Sequence, residues 1–416
     1  MKRLLYILLI FSFISCNKKE VLNFPEVAIL LPNEGFTFSA LDTILVKISL
    51  KDDIEGYKYL SFLIQDEHSN QTFNVRNVTV YGKEFVYEYN YVLNERWINS
   101  GEYLLVVNVN NGKLSASASK KILISAIPKK FKGIIAGVGN SSNVDIYVSD
   151  TTFNFNKVFS LSNLYDAYFD YYNSQFYAIF NDGVVRFYTY PEFFAFKEIT
   201  GFKKVGVPFK TSFIYEYPYF YVCNSNGYVW GIDKDGNVRQ VINTLFSPYK
   251  LGFKNNEWII LSDTYPYDLC WIEVPLQQKN YQFSGKLVDL LNLNKERWVI
   301  VEQKNNKVIW YEYKSLYNLL DTLGKIENAN YNCGLEINGK VYFSINNKIF
   351  LLNKIYGTIY EVFNGIRFEK LKFDDVNTVI VGVDENKLYI LENETFNTLR
   401  TLMLPNKIIF YSFIYE

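Results

Sequence analysis

At 416 residues the chain has room for two or three domains and a sizeable core, and 43 Lys+Arg against 43 Asp+Glu leave no net formal charge. That balance gives nucleic acid or an acidic membrane surface no electrostatic handle. One histidine, His68, excludes multi-histidine zinc sites and leaves a single candidate for a histidine base, while 35 Tyr and 34 Phe suit half-buried pleated surfaces and point to an all-β protein.

The chain opens on Met1-Lys2-Arg3, followed by an apolar run over 4–14 interrupted only by Ser12, and then Ser15-Cys16. A basic start, a short apolar stretch and a small residue before a cleavage point are what a secretory leader needs, and the stretch is too short to span a bilayer. Phe13-Ile14-Ser15-Cys16 resembles a bacterial lipobox, with Phe where Leu is usual. The resemblance implies a leader over 1–15, lipidation of Cys16 and a lipidated tether over 16–23. Each acyl CH₂ buried in a membrane contributes about 0.8 kcal/mol, so several chains on one cysteine would hold firmly. Asn17-Lys18-Lys19-Glu20 has no Asp next to the cysteine and is similar to tethers that send lipoproteins outward. That implies attachment to the outer membrane, on its periplasmic or cell-surface side. The alternative is an ordinary leader with a chance cysteine.

Over 24–127 seven short alternating segments follow, at 27–31, 43–50, 59–65, 72–75, 85–92, 102–108 and 116–125. Turn residues punctuate them, among them Pro32-Asn33-Glu34-Gly35 and Asn110-Asn111-Gly112. About a hundred residues in seven short strands predict an immunoglobulin-like β-sandwich. The stretches Pro25-Glu26-Val27-Ala28-Ile29 and Ser100-Gly101-Glu102-Tyr103-Leu104 resemble bacterial Ig-like surface modules, which implies a spacer or adhesive unit. Asp52, Asp53 and Glu55 form an acidic cluster that reads either as a calcium loop or as a solvated turn. His68 sits in a polar turn and reads as a surface residue.

The second half repeats. Apolar segments recur at 134–138, 176–180, 219–223, 257–261, 297–301, 341–345 and 379–383, their starts 38 to 44 residues apart. A period of about 40 is the length of one four-stranded propeller blade. A polar turn and a third strand follow most segments, and a first strand precedes all but the unit opening at Gly133. The chain ends on a spare strand at 408–415, which predicts a seven-bladed β-propeller over 131–416 closed by the C-terminal strand. The alternative is a large irregular sandwich. The pattern resembles the WD-like and quinoprotein-like propeller superfamily, but has no Gly-His…Trp-Asp pair per blade, no sialidase box and no Trp-docking repeats. The resemblance therefore implies a fold and no activity.

In such a propeller, loops joining fourth to first strands and second to third strands share one face. On it fall 200–210, with Phe202, Lys203, Lys204 and Phe209, and the insertion Thr264-Tyr265-Pro266-Tyr267-Asp268. Aromatics beside charges suit recognition, so Phe202, Lys203, Tyr265 and Tyr267 are candidate ligand-binding residues. Against this stands the packing of the same rings sheet on sheet. With Cys16 lipidated, Cys223, Cys270 and Cys333 read as buried thiols, a Cys223–Cys270 bridge being the alternative. Three Asp-Thr triplets, such as Asp42-Thr43-Ile44, resemble bacterial O-glycosylation sites. No Gly-x-Ser-x-Gly, Walker or paired His/carboxylate motif occurs, so no catalytic residue, metal or cofactor is assigned. Two functions stay open. One is a non-enzymatic envelope lipoprotein, a binding or scaffold module for a protein partner or glycan. The other is a propeller enzyme of glycosidase or lyase type acting on polysaccharide or peptide. Carboxylates converging in the channel mouth would favour the enzyme, and an aromatic plateau would favour recognition.

Overall fold

The computed structural model describes residues 24–66, 72–204, 209, 211–216, 219–224, 226–244, 247–254, 257–262, 267–273, 277–294 and 296–416. Residues 1–23, with the expected leader and Cys16, and His68 and Tyr265 lie outside the described residues. No helix among the described residues is long and apolar enough to cross a membrane. The chain divides into two compact units between Pro128 and Lys129.

In the first unit most strands alternate, giving one face to a core. Thr43–Lys51 buries Ile44, Val46, Ile48 and Leu50 and turns the intervening residues outward. It lies between Glu26–Leu31 and Glu84–Val92 in a three-stranded antiparallel sheet. A second sheet of five strands runs Phe36–Ser39, Ser115–Ser125, Gly101–Asn110, Tyr57–Asp66, Thr72–Tyr81. Ile44 and Val46 of one sheet and Leu60, Phe62, Leu105 and Val107 of the other share a single core. Phe36–Ser39 pairs in parallel with Ser115–Ser125 and is absent from the sequence reading.

The calcium reading of the acidic cluster is corrected here. Asp52 is fully enclosed and lies 3.2 Å from the equally enclosed ammonium of Lys58. It also accepts hydrogen bonds from the Ile54 amide at 3.0 Å and the Asn111 side chain at 2.9 Å. Burial would raise the Asp52 pKa, but those bonds and the Lys58 charge together hold it below its ordinary value. A lysine already occupies the cation's place.

The second unit is a β-propeller. Among the described residues it contains seven four-stranded antiparallel sheets. The second to seventh each use four consecutive strands, beginning with Leu164–Asp170, Thr211–Glu216, Pro248–Lys254, Lys286–Asn294, Tyr331–Ile337 and Lys370–Asp374. The first sheet takes Phe131–Asn140, Asn143–Ser149 and Phe155–Ser162 from its own stretch and its innermost strand, Ile408–Tyr415, from the chain's end. Innermost strands pack on one another around the ring, as Thr211–Glu216 does on Pro248–Lys254 and Leu164–Asp170 on Ile408–Tyr415. The outer strands Phe155–Ser162 and Gln277–Phe283 are not among those expected from sequence, and the second of them carries mostly polar residues.

Aromatic pairs seal the seams between neighbouring sheets. Their ring centroids lie 5.8 Å apart for Phe176–Phe410, 6.0 Å for Tyr168–Phe220, 4.7 Å for Tyr221–Trp258, 5.1 Å for Phe283–Tyr311, 5.8 Å for Trp310–Phe343 and 5.1 Å for Tyr342–Phe396. The seam between seventh and first sheets is tied instead by hydrogen bonds, the Tyr411 hydroxyl donating to the Val381 carbonyl at 2.6 Å and the Tyr415 hydroxyl to Asp374 at 3.0 Å. Cys223 is a free, buried thiol, which removes the Cys223–Cys270 bridge.

Deleting residues 408–416 should expose the edge of Phe131–Asn140 and remove Phe410, Tyr411 and Ile414 from the core. The expected result is a lower melting midpoint with aggregation visible by light scattering. A milder variant, Phe410→Ala, should cost about 3–5 kcal/mol in chemical denaturation. A truncated chain that stays monomeric and melts unchanged would refute closure by this strand.

Candidate functional site

The innermost strands bring ionisable side chains from distant parts of the sequence around one axis. Asp166 comes from the second sheet, Lys250 from the fourth, Asp289 from the fifth, Tyr331 and Cys333 from the sixth, and Lys370 and Lys372 from the seventh. All sit in the N-terminal halves of their strands. Their charges reach one another across the ring, Asp166 feeling Lys370 and Lys372, and Cys333 feeling Asp289, Lys250 and Lys370.

The cluster divides in two. On one side the Asp289 carboxylate is held by Lys250 and by the hydroxyl of Tyr331. Burial works against the Lys250 charge, but the charge and hydrogen bond of Asp289 raise its pKa above the usual lysine value. That pair is internally neutral. Burial also pushes the Cys333 thiol well up, so it is not a thiolate at neutral pH.

On the other side lie Lys370, Lys372 and Asp166. Lys370 has neither an ion pair nor a hydrogen bond to its side chain among the described residues. Lys372 donates to the Tyr411 carbonyl at 2.6 Å, with its ammonium 5.1 Å from that ring's centroid. Burial and the neighbouring Lys370 lower the Lys372 pKa to about 8, against the pull of Asp166. Burial raises the Asp166 carboxyl, against Lys370, the Ala167 amide and Lys372. Asp166 accepts a 2.8 Å hydrogen bond from that amide. The chemistry here is two half-buried lysines near one carboxyl.

The innermost strands of the first, second, sixth and seventh sheets line a vestibule of about 510 Å³, with Tyr168, Tyr171, Phe413 and Tyr415 among its rings and Lys372 in its wall. Lys129 crosses its rim, 5.0 Å from the Tyr171 ring centroid, 5.7 Å from that of Tyr415 and 3.2 Å from Asp375. Glu336, also at the rim, accepts from the Gly339 amide. Both rim carboxylates are thus engaged.

This cavity opens by the loops that join first to second strands, opposite the face expected from sequence. Of the four residues expected there, Phe202 and Lys203 have described side chains. Phe202 is 2% exposed, packed with Tyr177, Phe187, Phe209 and Phe220, its ring 6.1 Å from Trp230. The long connection between second and third sheets spends Phe202 and Phe209 on sealing a seam, which corrects their reading as recognition rings. Lys203 is exposed beside them. Tyr265 lies outside the described residues, and Tyr267 begins the strand Tyr267–Glu273, paired with Phe283, rather than sitting in a loop. The lysine pair went unnoticed in sequence although Lys370-Leu371-Lys372-Phe373 places two charges on one side of a strand.

No protein-family model matches the chain, and no curated protein matches it. Among solved structures it is similar to the Cps50 (Swd1) β-propeller domain of Myceliophteria thermophila, at 10% identity over 59% of this chain and 88% of that one, with a TM-score of 0.46. It is also similar to a quinoprotein alcohol dehydrogenase-like protein of Bacteroides thetaiotaomicron, at 13% identity over 92% and 97% of the two chains, with a TM-score of 0.45. The Pan2 WD40 domain of Neurospora crassa matches at 10% identity over 57% and 77%, with a TM-score of 0.46. Likeness at this level carries no argument about function, and the propeller assignment rests on the sheet topology.

Phe202→Ala should behave as a core truncation and cost about 3–5 kcal/mol in denaturant unfolding. Lys203→Ala, one residue on, should stay within about 0.5 kcal/mol of the parent. A Phe202→Ala variant as stable as the parent would return that ring to the candidate binding surface.

Proposed function

We propose that the protein is an outer-membrane lipoprotein, anchored through Cys16, with an immunoglobulin-like sandwich over 24–127 and a seven-bladed propeller that binds an anionic ligand in its axial channel. The ligand would be an acidic stretch of a protein partner or an acidic glycan. One observation carries this reading. Lys370 and Lys372 share the channel wall, and the carboxyl near them, Asp166, is one against two. Enclosed like charges are unfavourable unless something compensates them, and an incoming carboxylate would do so. The aromatic vestibule supports recognition, since rings that border an opening offer area with little entropy to lose.

A second reading is favoured by the opposed shifts of Asp166 and Lys372. Burial raises the carboxyl and lowers the ammonium, which brings both toward neutrality, where general acids and bases work best. A lyase needs a base to take the proton beside a carboxylate and a cation to hold the developing charge. If acidic polysaccharide is cleaved, and Asp166→Asn stops cleavage while keeping binding, the enzyme reading prevails.

Two tests address the proposal. Polygalacturonate and a polyglutamate peptide serve as probes in calorimetry. At least one should bind the parent, and Lys370→Gln/Lys372→Gln should weaken that binding at least tenfold. Because Lys372 loses its proton near pH 8, affinity should be highest below that pH and fall above it. Binding unaffected by the lysine changes, or rising with pH, would sink the idea. For the anchor, metabolic labelling with a fatty-acid probe should mark the parent and miss Cys16→Ala, which should move to the soluble fraction. Label persisting in the variant would end it.

A further inference from the structure

The outer face of the five-stranded sheet in the first unit carries a groove of about 710 Å³. Its position follows from register. Tyr59 pairs with Thr79 on one side and Asn110 on the other, and Asn110 pairs with Ser115. Two residues along, Ser61 pairs with Asn77 and Asn108, and Asn108 with Ser117. Side chains at one register level share a face, so two rows of hydroxyls and amides cross four strands. Ser61 and Asn108, on the two central strands, are half-buried and form the floor. Asn77, Thr79, Ser115 and Ser117 are exposed and form the sides.

Three properties separate this face from an ordinary solvated one. No residue lining the groove carries a charge at neutral pH. The outer face of the opposite sheet, in contrast, carries an exposed Lys47–Glu88 pair at 2.7 Å. Second, the polar groups are open. Asn110 is committed, donating to Ser115 at 2.9 Å and accepting from Gly112 at 2.6 Å. The side chains of Ser61, Asn77, Thr79, Asn108 and Ser117 make no hydrogen bond to protein among the described residues. Third, tyrosines stand at one end of the rows, Tyr57 at 64%, Tyr59 at 58% and Tyr81 at 61% exposed, with Tyr57 and Tyr81 edge to face at 5.2 Å.

We infer that this groove binds a neutral oligosaccharide. Sugar hydroxyls both donate and accept hydrogen bonds, and so do Ser, Thr and Asn side chains, which makes the match mutual. A lining without charge offers nothing to a phosphate, a nucleic acid or a charged peptide. The exposed tyrosine rings supply faces for the C–H surface of a sugar and hydroxyls for its edge. A protein partner would call for an apolar, desolvated centre, whereas the centre here is a serine and an asparagine. The inference goes beyond the channel reading and does not rest on it.

Affinity electrophoresis of the mature chain in native gels containing a neutral glucan, mannan or xylan tests this site. The expected result is retardation by at least one of the three. Tyr59→Ala/Asn108→Ala should weaken the retardation at least tenfold with an unchanged melting midpoint. Ser61→Gln, which fills the floor from an outward position, should do the same if the double variant folds poorly. Lys370→Gln/Lys372→Gln should be retarded like the parent, so failure of the channel reading and failure of this one are distinguishable. No retardation in any gel, retardation kept by folded groove variants, or retardation lost only with the channel lysines would each overturn the inference.

Discussion

Everything in the second unit depends on one pairing, that of Ile408–Tyr415 with Phe131–Asn140. It joins strands separated by nearly the whole unit, so its loop-closure cost is met only once all seven sheets stand in place. The register is demanding. Phe410 lies over Gly137 so closely that any Cβ there would collide with the ring, and only glycine lets the two strands approach. In return Phe410 reaches Phe176 and carries the first seam into the second sheet. The channel exists because this strand completes the innermost ring. Tyr411, which receives the Lys372 ammonium, sits on it.

Closing a ring of strands around an axis forces their edge-facing side chains into one narrow space. Apolar residues would fill it, and in part they do. The fourth, fifth and sixth sheets place charge there and cancel it locally through Lys250, Asp289 and Tyr331. The seventh does not. Lys372 is held below its ordinary pKa, so its protonated form is disfavoured in the folded chain relative to the unfolded one. The sign is that of a destabilising charge, present below pH of about 8 and relieved as pH rises through it toward the free lysine value. A fold selected only for stability would place a leucine there. Strain of this kind is where function is to be sought.

The architecture was largely legible in sequence because a repeat of apolar segments survives wide variation in everything else. Every second strand was found, and so was the spare C-terminal one. What escaped in the second unit includes two outermost strands. Phe155–Ser162 and Gln277–Phe283 are outermost in their sheets, the second nearly all polar and the first an even mixture of polar and apolar residues. The site was not legible, and the reason is instructive. Lys-Leu-Lys-Phe at 370–373 looks like a protected sheet edge, where lysines discourage aggregation. In a closed ring the same alternation on an innermost strand points two ammonium groups at the axis. Phe202 misleads in the opposite direction, since an aromatic in a long loop looks exposed until a neighbouring sheet is placed over it.

The abundance of tyrosine has the same double character. At the seams a tyrosine seals with its ring and ties with its hydroxyl. Tyr411 bonds Val381, Tyr177 bonds Asp170 at 2.7 Å, and Tyr281 bonds the Asn318 carbonyl at 2.6 Å. A phenylalanine would give up each of these bonds, at a cost that grows with the burial of the acceptor. Tyrosine content therefore says little about binding by itself. What does carry information is a tyrosine released from both duties. Tyr57, Tyr59 and Tyr81 seal no seam and donate no hydrogen bond to protein among the described residues, yet they stand together at the end of an uncharged groove. Beyond the edge-to-face contact of Tyr57 with Tyr81, no hydrogen bond among the described residues explains their placement, and a ligand with hydroxyls and a C–H face does.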